Sequence, residues 1–268
     1  MRPIPLAALT AFAILACSAS PVALANHHEA QPASAIEQAV AGPARSAKNK
    51  ARDAYRHPSE TLAFFEVEPA ETVVEFIPGG GWYTEILGPL LRNEGTLYLL
   101  QPASGVENLS AKIAANPGVY GKAVVTAWPQ TEDAIPAGSV DTVLTFRNVH
   151  NLVMRGVAEQ TFADFFALLK PGGVLGIVDH RLPDSSDSAL EKSSGYLKLS
   201  TVKKLAEDAG FVLEAQSEIN ANAMDTANWE KGVWTLPPTL KNGETDREKY
   251  LAIGESDRMT LRFRKPTS

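Results

Sequence analysis

The sequence predicts an α/β fold: a Rossmann-like, doubly wound sheet of seven mostly parallel strands, with helices on both faces and an insertion before the last strand. Three observations predict it. Short apolar runs alternate with segments of helical period, three consecutive glycines follow the first apolar run, and 268 residues suffice for one sizeable domain. Strands that are separated by helices pair in parallel, because the helix returns the chain to the edge where the strand began.

Composition narrows the class of partner. Hydrophobic residues make up 44% and charged residues 21% of the chain, which is ordinary for a globular protein. The formal net charge of -6 argues against broad binding to nucleic acid or to an anionic membrane, because both favour a basic surface. A nucleic-acid partner is therefore not expected.

Residues 1–25 have the pattern of a secretory signal peptide. Arg2 precedes an apolar stretch, and Ala23-Leu24-Ala25 fits the A-x-A cleavage rule, which predicts a periplasmic chain beginning at Asn26. In the alternative, the four residues that end at Cys17 resemble a bacterial lipoprotein box, so that Cys17 would carry a lipid anchor. Both cleavage sites stay open, and no later stretch is apolar for the ~20 residues of a membrane span.

Residues 26–44 are predicted to be a flexible tether, and residues 45–268 the folded domain. The tether contains Ala, Gln and Pro without a clear period. At the start of the domain, helical signals surround Pro58, and Ser59 is expected to cap a short helix.

The remaining elements alternate. Strands are predicted at 72–77, 95–101, 120–128, 139–146, 174–180, 211–219 and 258–265, and helices at 82–91, 106–115, 156–169 and 200–210. The last helix is expected to begin at a Ser200 cap and to stop at Gly210. Residues 220–257 interrupt the alternation and carry Trp234, and they predict either a binding loop or a cover for a sheet edge.

The glycine-rich stretch VVEFIPGGGWYTEIL joins the first strand to the next helix. Gly79, Gly80 and Gly81 let the backbone approach a ligand closely, and the following helix directs its positive end toward the same place. A nicotinamide dehydrogenase is poorly supported: the third glycine of its G-x-G-x-x-G turn is Thr84 here, and the ribose-binding acid is Gln101.

The motifs together resemble the class I S-adenosylmethionine-dependent methyltransferases. VVEFIPGGGWYTEIL looks like their first motif, SVDTVLTFRNVHN like the fourth, and LLKPGGVLGIVDH like the hairpin and strand that follow. The resemblance covers residues 61–265 and is closest to an exported subgroup of predicted methyltransferases, through FRNVHN, SEINAN, GVWTLPPTL and KYLAIGESDRM.

The resemblance implies S-adenosylmethionine as the cofactor and a set of residues that bind it. Glu75 would approach the cofactor's amino-acid end, Gly79 to Gly81 would let it pack, and Gln101 would accept a ribose hydroxyl. Two positions depart from the family pattern: Ile77 stands at its first motif glycine, and Gln101 replaces its usual acid. Trp128, just after the third strand, would stack on the adenine or belong to the core.

Polar residues after the fourth strand are the candidate catalytic group. His150 is the candidate base, because an imidazole ionises near neutral pH. Asn148 could orient a substrate amide or hydroxyl, and Arg147 could hold a carboxylate or phosphate. Asn151 would add a substrate contact. In the alternative, all of these side chains bond loop backbone instead.

The end of the fifth strand and the insertion supply the remaining candidates for substrate binding, which are His180, Arg181 and Trp234. No metal site is predicted, because the five histidines show no ligand spacing. The function expected is methyl transfer to a small molecule. The alternative is an exported, non-catalytic binding protein on the same fold.

Overall fold

A mixed sheet of eight strands lies at the centre of residues 33–268, which form one unit. The computed structural model describes Met1 and residues 33–130 and 134–267. The rest of the predicted signal peptide, including Cys17, and the first part of the predicted tether lie outside the described residues. In the part of the chain that is described, no helix is long and apolar enough to cross a membrane.

The sheet has the strand order β3-β2-β1-β4-β5-β8-β7. Its first five members pair in parallel, whereas β8 is antiparallel to both β5 and β7. The two-residue β6 pairs with β5 beside this path. The predicted Rossmann-like, mostly parallel fold is confirmed, and β6 is the strand that the prediction lacked. The strands are β1 Thr72–Phe76, β2 Thr96–Pro102, β3 Val124–Trp128, β4 Val140–Phe146, β5 Leu169–Leu182, β6 Leu197–Lys198, β7 Val212–Ser217 and β8 Arg258–Arg264.

Helices cover both faces of the sheet. They are α1 Ala35–Ala41, α2 Ala47–Lys50, α3 Asp53–Arg56, α4 Pro58–Phe64, α5 Thr84–Leu91, α6 Ala103–Ala114, α7 Pro117–Tyr120, α8 Val149–Arg155, α9 Ala158–Leu168, α10 Leu199–Asp208 and α11 Arg247–Ile253. Two short 3-10 helices, Ser188–Lys192 and Gly232–Thr235, precede β6 and α11.

Alternation along β1 divides the core into two layers. Val74 and Phe76 pack with α9 and α10 on one face, whereas Val73 packs with α4 and α5 on the other. Because side chains alternate along a strand, Glu75 shares the face of Val73. The one carboxylate of β1 is therefore directed toward the N-terminal helices.

The segment predicted to be a tether contains the helix α1. Ser34 caps it: the Ser34 Oγ accepts from the Glu37 backbone N–H at 3.2 Å, and the Ser34 N–H donates to the Glu37 carboxylate at 2.7 Å. This reciprocal cap stabilises the first turn, and Ala39 is buried against the body. From Ser34 onward the tether prediction is wrong, and the folded unit begins earlier than residue 45.

Two predicted helix caps are also wrong. Ser59 lies inside α4, which begins at Pro58, and Ser200 lies inside α10, which begins after Lys198. Proline fits the first helical position because its missing N–H would have no partner there. The Ser200 hydroxyl instead donates to Asp184. The predicted stop at Gly210 is confirmed by its positive φ of 103°.

The insertion of residues 220–257 packs onto the C-terminal end of the sheet. Asn220 donates to the hydroxyls of Thr61 and Thr260, each at 3.0 Å. Asp225 accepts from the Tyr196 hydroxyl at 2.9 Å and from the backbone N–H of Asp257 at 2.8 Å. The bonds to Thr61, Tyr196 and Thr260 tie the insertion to α4, to the residue before β6 and to β8, and the bond to Asp257 holds the insertion together.

Candidate functional site

The strand order reverses between β1 and β4, which are neighbours in the sheet although β2 and β3 separate them in sequence. In open α/β sheets a crevice forms at the carboxyl ends of the strands at such a point. The glycine turn leaves β1 there, and Arg147 and Asn148 leave β4 beside it. The fold thus joins two motifs that lie about 70 positions apart in the sequence.

A cavity of about 430 Å³ occupies this crevice, within the range of small-molecule sites. One wall is the glycine turn with Glu75, and another carries three arginines. Aromatic rings complete the lining. The lining includes Glu75, Ile77, Gly79, Gly80, Trp82, Tyr83, Phe146, Asn148, Arg52, Arg56 and Arg147.

The three glycines have different environments. Gly79 has a φ of +59°, and a Cβ built on either Gly79 or Gly80 meets no atom within 4 Å. A Cβ on Gly81 would lie 3.0 Å from the Lys112 ammonium and 3.3 Å from Thr84. The first two glycines therefore face open space in the cavity, while the third serves the packing of the turn onto α5.

Ile77 adopts the left-handed conformation, with a φ of +50°. A β-branched residue is strained there, and glycine is the residue this conformation favours. The turn is held in place by its backbone: the Ile77 N–H donates to Leu100 O at 2.7 Å, and the Asn148 side-chain amide donates to Phe76 O at 3.0 Å and Ile77 O at 3.2 Å. The backbone thus keeps the shape that a glycine would adopt, and Asn148 fixes it.

Glu75 is a buried carboxylate at the base of the turn, 2% exposed. Its Oε2 accepts from the Thr84 hydroxyl at 2.6 Å. Burial raises the pKa of Glu75 to about 7, and the Thr84 bond and the Lys112 charge act in the opposite direction without cancelling it. A cationic ligand group in the cavity would stabilise the ionised carboxylate.

Gln101 ends β2 beside the turn, where its buried amide N–H donates weakly to Gly79 O at 3.4 Å. Its Oε1 is buried and has no hydrogen-bond partner among the described residues. An unpartnered acceptor at this place suits a ligand hydroxyl. The open glycines and the Glu75 carboxylate fit the amino-acid end of a cofactor, whereas the described residues that line the cavity do not include Gln101.

Trp128 lies at the end of β3, against a different cavity of about 410 Å³. Its ring meets the edge of Phe76, with 5.0 Å between centroids, and its Nε1 is buried with no partner in the described part of the chain. Trp128 is thus partly a core residue and does not line the glycine-turn cavity. Its predicted contact with an adenine stays a prediction.

His150, the candidate base, is buried beneath the cavity. Its Nδ1 lies 2.8 Å from Asp179 Oδ1, and its backbone N–H donates to Asp179 Oδ2 at 3.2 Å. The described residues that line the cavity do not include His150. Its chemical role stays a prediction, and what the geometry shows is a histidine oriented by a buried aspartate.

His180 links this pair to the cavity wall. Its Nε2 accepts from Arg147 Nε at 3.4 Å, and its Nδ1 is paired with the Ser256 hydroxyl. Burial, followed by the charges of its neighbours, lowers the pKa of His180 well below its ordinary value of 6.5. A neutral ring can accept from the arginine and donate to the serine at the same time.

His150, Asp179 and His180 bring three potential metal-ligand atoms within 4.8 Å of one another. The sequence showed no such cluster because sheet pairing, not spacing, assembles it. The arrangement does not fit a metal ion well: both oxygens of Asp179 and both ring nitrogens of His180 already have partners, and the Arg147 cation is adjacent.

The other predicted substrate residues lie outside the glycine-turn cavity. Arg181 forms paired bonds with Glu218, at 2.8 Å, and with Asp257, at 2.8 and 3.0 Å, which raise its pKa. Asn151 is half-buried on α8. Trp234 lies in the second 3-10 helix, and its ring centroid is 6.5 Å from that of His150. The structure does not bring these three residues together with the glycine turn.

Sequence reasoning missed three residues of the arginine wall or its support, namely Arg52, Arg56 and Glu255. Arg52 Nε donates to Glu255 Oε1 at 2.6 Å, and Arg56 Nε donates to Glu255 Oε2 at 3.1 Å, across about 200 positions. The only local signal was that two arginines four positions apart share one face of a helical segment.

Comparison with solved structures shows the fold. The chain is similar to an S-adenosylmethionine-dependent methyltransferase from Aquifex aeolicus, with a TM-score of 0.56 and 16% identity over 80% of this chain and 93% of that one. A methyltransferase of the same cofactor class from Methanosarcina mazei gives a TM-score of 0.53 and 13% identity over 77% and 97%. The chain has the class I methyltransferase fold.

The same fold likeness includes the cyclase SpnF, with a TM-score of 0.57 and 13% identity over 87% of this chain and 92% of that one. The fold alone therefore does not specify the reaction, and function must be argued from the site. No family model matches the sequence. No curated protein matches it either.

Proposed function

We propose that this protein is an S-adenosylmethionine-dependent methyltransferase that acts on a small molecule. The observation that carries the proposal is the glycine turn at the switch point of a class I fold: Gly79 and Gly80 face open space, and the carboxylate of Glu75 lies beneath them. A fold kept only as a scaffold would have no need of an open turn above a buried carboxylate.

Four of the predicted cofactor residues suit three distinct parts of the cofactor. Glu75 would pair with its α-ammonium, because burial makes an unpaired carboxylate costly there. Gly79 and Gly80 would admit its amino-acid chain without a side chain in the way. The free oxygen of Gln101 would accept a ribose hydroxyl.

The bound cofactor supplies a methyl group on a sulfonium, and the protein's contribution is alignment of the acceptor with that group. Arg147 is placed to hold the acceptor, since it lines the cavity next to the turn. His180 accepts from Arg147 and so fixes the direction of the guanidinium. His150 and Asp179 support that arrangement from below.

Calorimetric titration with S-adenosylmethionine and S-adenosylhomocysteine tests the proposal. Micromolar binding of both compounds, lost when Gly80 is replaced by leucine, is the expected result. Binding of neither compound to a folded protein contradicts the proposal and leaves a non-catalytic binding protein as the function to examine.

We also propose that the chain is exported, because residues 1–25 have the pattern of a signal peptide. The proposal rests on sequence alone. Mass spectrometry of the protein recovered from a bacterial periplasm tests it: a chain beginning at Asn26 supports soluble export, a lipidated Cys17 supports an anchored form, and an uncleaved chain in the cytoplasm contradicts export.

A further inference from the structure

Four arginines gather at the cavity that the glycine turn lines, and we call them the arginine cluster: Arg52, Arg56, Arg147 and Arg258. The first three line the cavity, and Arg258 lies behind them, 3% exposed. They come from α3 and the residue before it, from the end of β4 and from the start of β8. Because three separate parts of the chain supply these side chains, the cluster forms only when the protein folds.

The charges of the cluster are not balanced. Among the described residues, Glu255 is the carboxylate that contacts it, at 2.6 Å from Arg52, 3.1 Å from Arg56 and 3.3 Å from Arg258. Three of the four guanidinium groups share the one carboxylate, so the arginines and Glu255 together carry an excess of positive charge. Buried charges are normally paired, because removal from water is costly.

Two guanidinium nitrogens of the cluster, Arg52 Nη2 and Arg56 Nη2, are buried without a hydrogen bond among the described residues. Arg52 Nη2 still lies 2.6 Å from Glu255 Oε1, whereas the Arg56 guanidinium lies 4.7 Å from the centroid of the Trp82 ring. Arg258, in contrast, is satisfied within the protein, since it donates to Tyr55 O and Ser256 O. The unmet donors therefore belong to residues that line the cavity.

Among the described residues, no other carboxylate contacts the cluster, although Asp179 acts on Arg147 and Asp257 on Arg258 at longer range. Burial raises the pKa of Tyr83 to about 12 and that of Glu75 to about 7, and it lowers the pKa of His180, so that the first and last are neutral at neutral pH. Asp179 is paired with His150. Burial also lowers the pKa of Arg56 to about 9 and that of Arg147 to about 10, although both stay positive at neutral pH.

The proposed cofactor does not balance the cluster either. S-adenosylmethionine carries a sulfonium and an ammonium against one carboxylate, so it brings a net positive charge into the cavity. Ionised Glu75 would offset that charge and nothing more. The arginine cluster would still lack a counter-charge when the cofactor is bound.

We propose that the methyl acceptor is an anion whose carboxylate or phosphate group binds to Arg52, Arg56 and Arg147. The inference rests on the proposed function. Guanidinium groups suit such oxyanions because their planar donors can bind two oxygens at once. The acceptor's charge would satisfy Arg56 Nη2 and place the rest of the molecule between the arginine cluster and the open turn.

Inorganic phosphate is the probe, measured by thermal shift and calorimetry on the full protein. We expect phosphate to raise the melting temperature, and its affinity to fall at least about fivefold in Arg56→Gln and in the less buried Arg52→Gln. Arg155→Gln, which removes the same charge from an exposed position on α8, is the matched control and should bind like the wild type. Absence of phosphate binding, or equal binding in all variants, contradicts the proposal.

The phosphate titration is then repeated with S-adenosylhomocysteine and with 5′-methylthioadenosine, which lacks the amino-acid carboxylate. Unchanged or tighter phosphate binding beside S-adenosylhomocysteine supports a separate acceptor site. Competition by S-adenosylhomocysteine alone means that the arginines hold the cofactor's carboxylate, and it contradicts the proposal.

The two proposals fail in different ways. Phosphate binding that depends on the arginines, without any binding of S-adenosylhomocysteine, contradicts the proposed function and supports the anion site alone. Binding of S-adenosylhomocysteine without phosphate binding supports the proposed function and contradicts the anionic acceptor.

Discussion

The two walls of the central cavity differ in how they are built and in what they lack. The glycine wall is one continuous turn of backbone, and its titratable group, Glu75, has its pKa raised to about 7 by burial. The arginine wall is assembled from distant segments of the chain. Its guanidinium groups are positively charged, and the carboxylate that contacts them is Glu255. Lys112 lies near the first wall but does not cancel the effect of burial on Glu75, and Glu255 does not balance the arginines of the second. The comparison teaches that one crevice can suit both a cationic and an anionic ligand group.

The largest effect is expected from filling the glycine wall. Gly80→Leu places a side chain in the open space where no atom lies within 4 Å, without a positive φ to strain it. We expect affinity for S-adenosylhomocysteine to fall more than about 100-fold, or about 2.7 kcal/mol, in a calorimetric titration, with an unchanged melting temperature.

Gly118→Leu is the matched control, because Gly118 also faces open space with an ordinary φ but lies on α7, away from the cavity. Equal affinity of the two variants for S-adenosylhomocysteine would show that the glycine wall is not part of the cofactor site.

Neutralising Glu75 is expected to have opposite effects on stability and on binding. The folded pKa is raised to about 7 from 4.5, so the native protein holds a proton that the unfolded chain releases, and stability falls as pH rises from about 4.5 to about 7. Glu75→Gln should therefore raise the free energy of unfolding of the unliganded protein at pH 8 by about 1–3 kcal/mol, with little change at pH 4. Urea denaturation at both pH values measures it.

The same variant should bind S-adenosylhomocysteine about 10-fold or more weakly and lose the rise in affinity that the wild type shows between pH 6 and 8, since no carboxylate remains to ionise. The surface variant Glu107→Gln on α6 serves as control. A Glu75→Gln protein less stable than the wild type at pH 8 would mean that the carboxylate is satisfied within the protein.

Replacing the Asn148 amide should have a smaller effect than the changes at Gly80 and Glu75. Asn148→Ala removes the two bonds to Phe76 O and Ile77 O that hold the strained turn, at an expected cost of about 2 kcal/mol in the free energy of unfolding. Asn151→Ala, three residues further along α8, should cost less than about 0.5 kcal/mol. Similar losses in the two variants, measured by urea denaturation, would show that Asn148 does not hold the turn.

The smallest effect is expected at Arg181, which lies away from both walls. Its partly exposed ion pairs with Glu218 and Asp257 should contribute about 1 kcal/mol or less, so Arg181→Gln lowers the melting temperature slightly. Affinity for S-adenosylhomocysteine and for phosphate should not change. A clear fall in the affinity for either ligand would show that Arg181 belongs to the substrate site, as the sequence suggested.

The fold and the glycine wall could be predicted because their signals are local. Each strand is a contiguous apolar run, and the turn from Ile77 to Gly81 is a contiguous motif. The α1 helix could also have been predicted, since Ser34 and Glu37 have the spacing of a capping box. The caps expected at Ser59 and Ser200 failed because the helices begin at other residues, with Pro58 first in α4.

The arginine wall could not be predicted, because its parts meet only after the sheet has formed. Arg52 and Glu255 are 203 positions apart, and antiparallel pairing of β8 with β5 places Arg258 opposite His180. His150 and Asp179 meet in the same way, through the pairing of β4 with β5. No spacing in the sequence reports such contacts.

The central claim is that the open glycine turn is a cofactor site facing an anion site. A crystal structure of the protein with S-adenosylhomocysteine and phosphate tests it most directly. The predicted result places the amino-acid end of the nucleoside over Gly79 and Gly80 with its ammonium on Glu75, and the phosphate on Arg56 and Arg147. A nucleoside bound against Trp128 alone, or one whose carboxylate occupies the arginines in place of phosphate, would contradict the account.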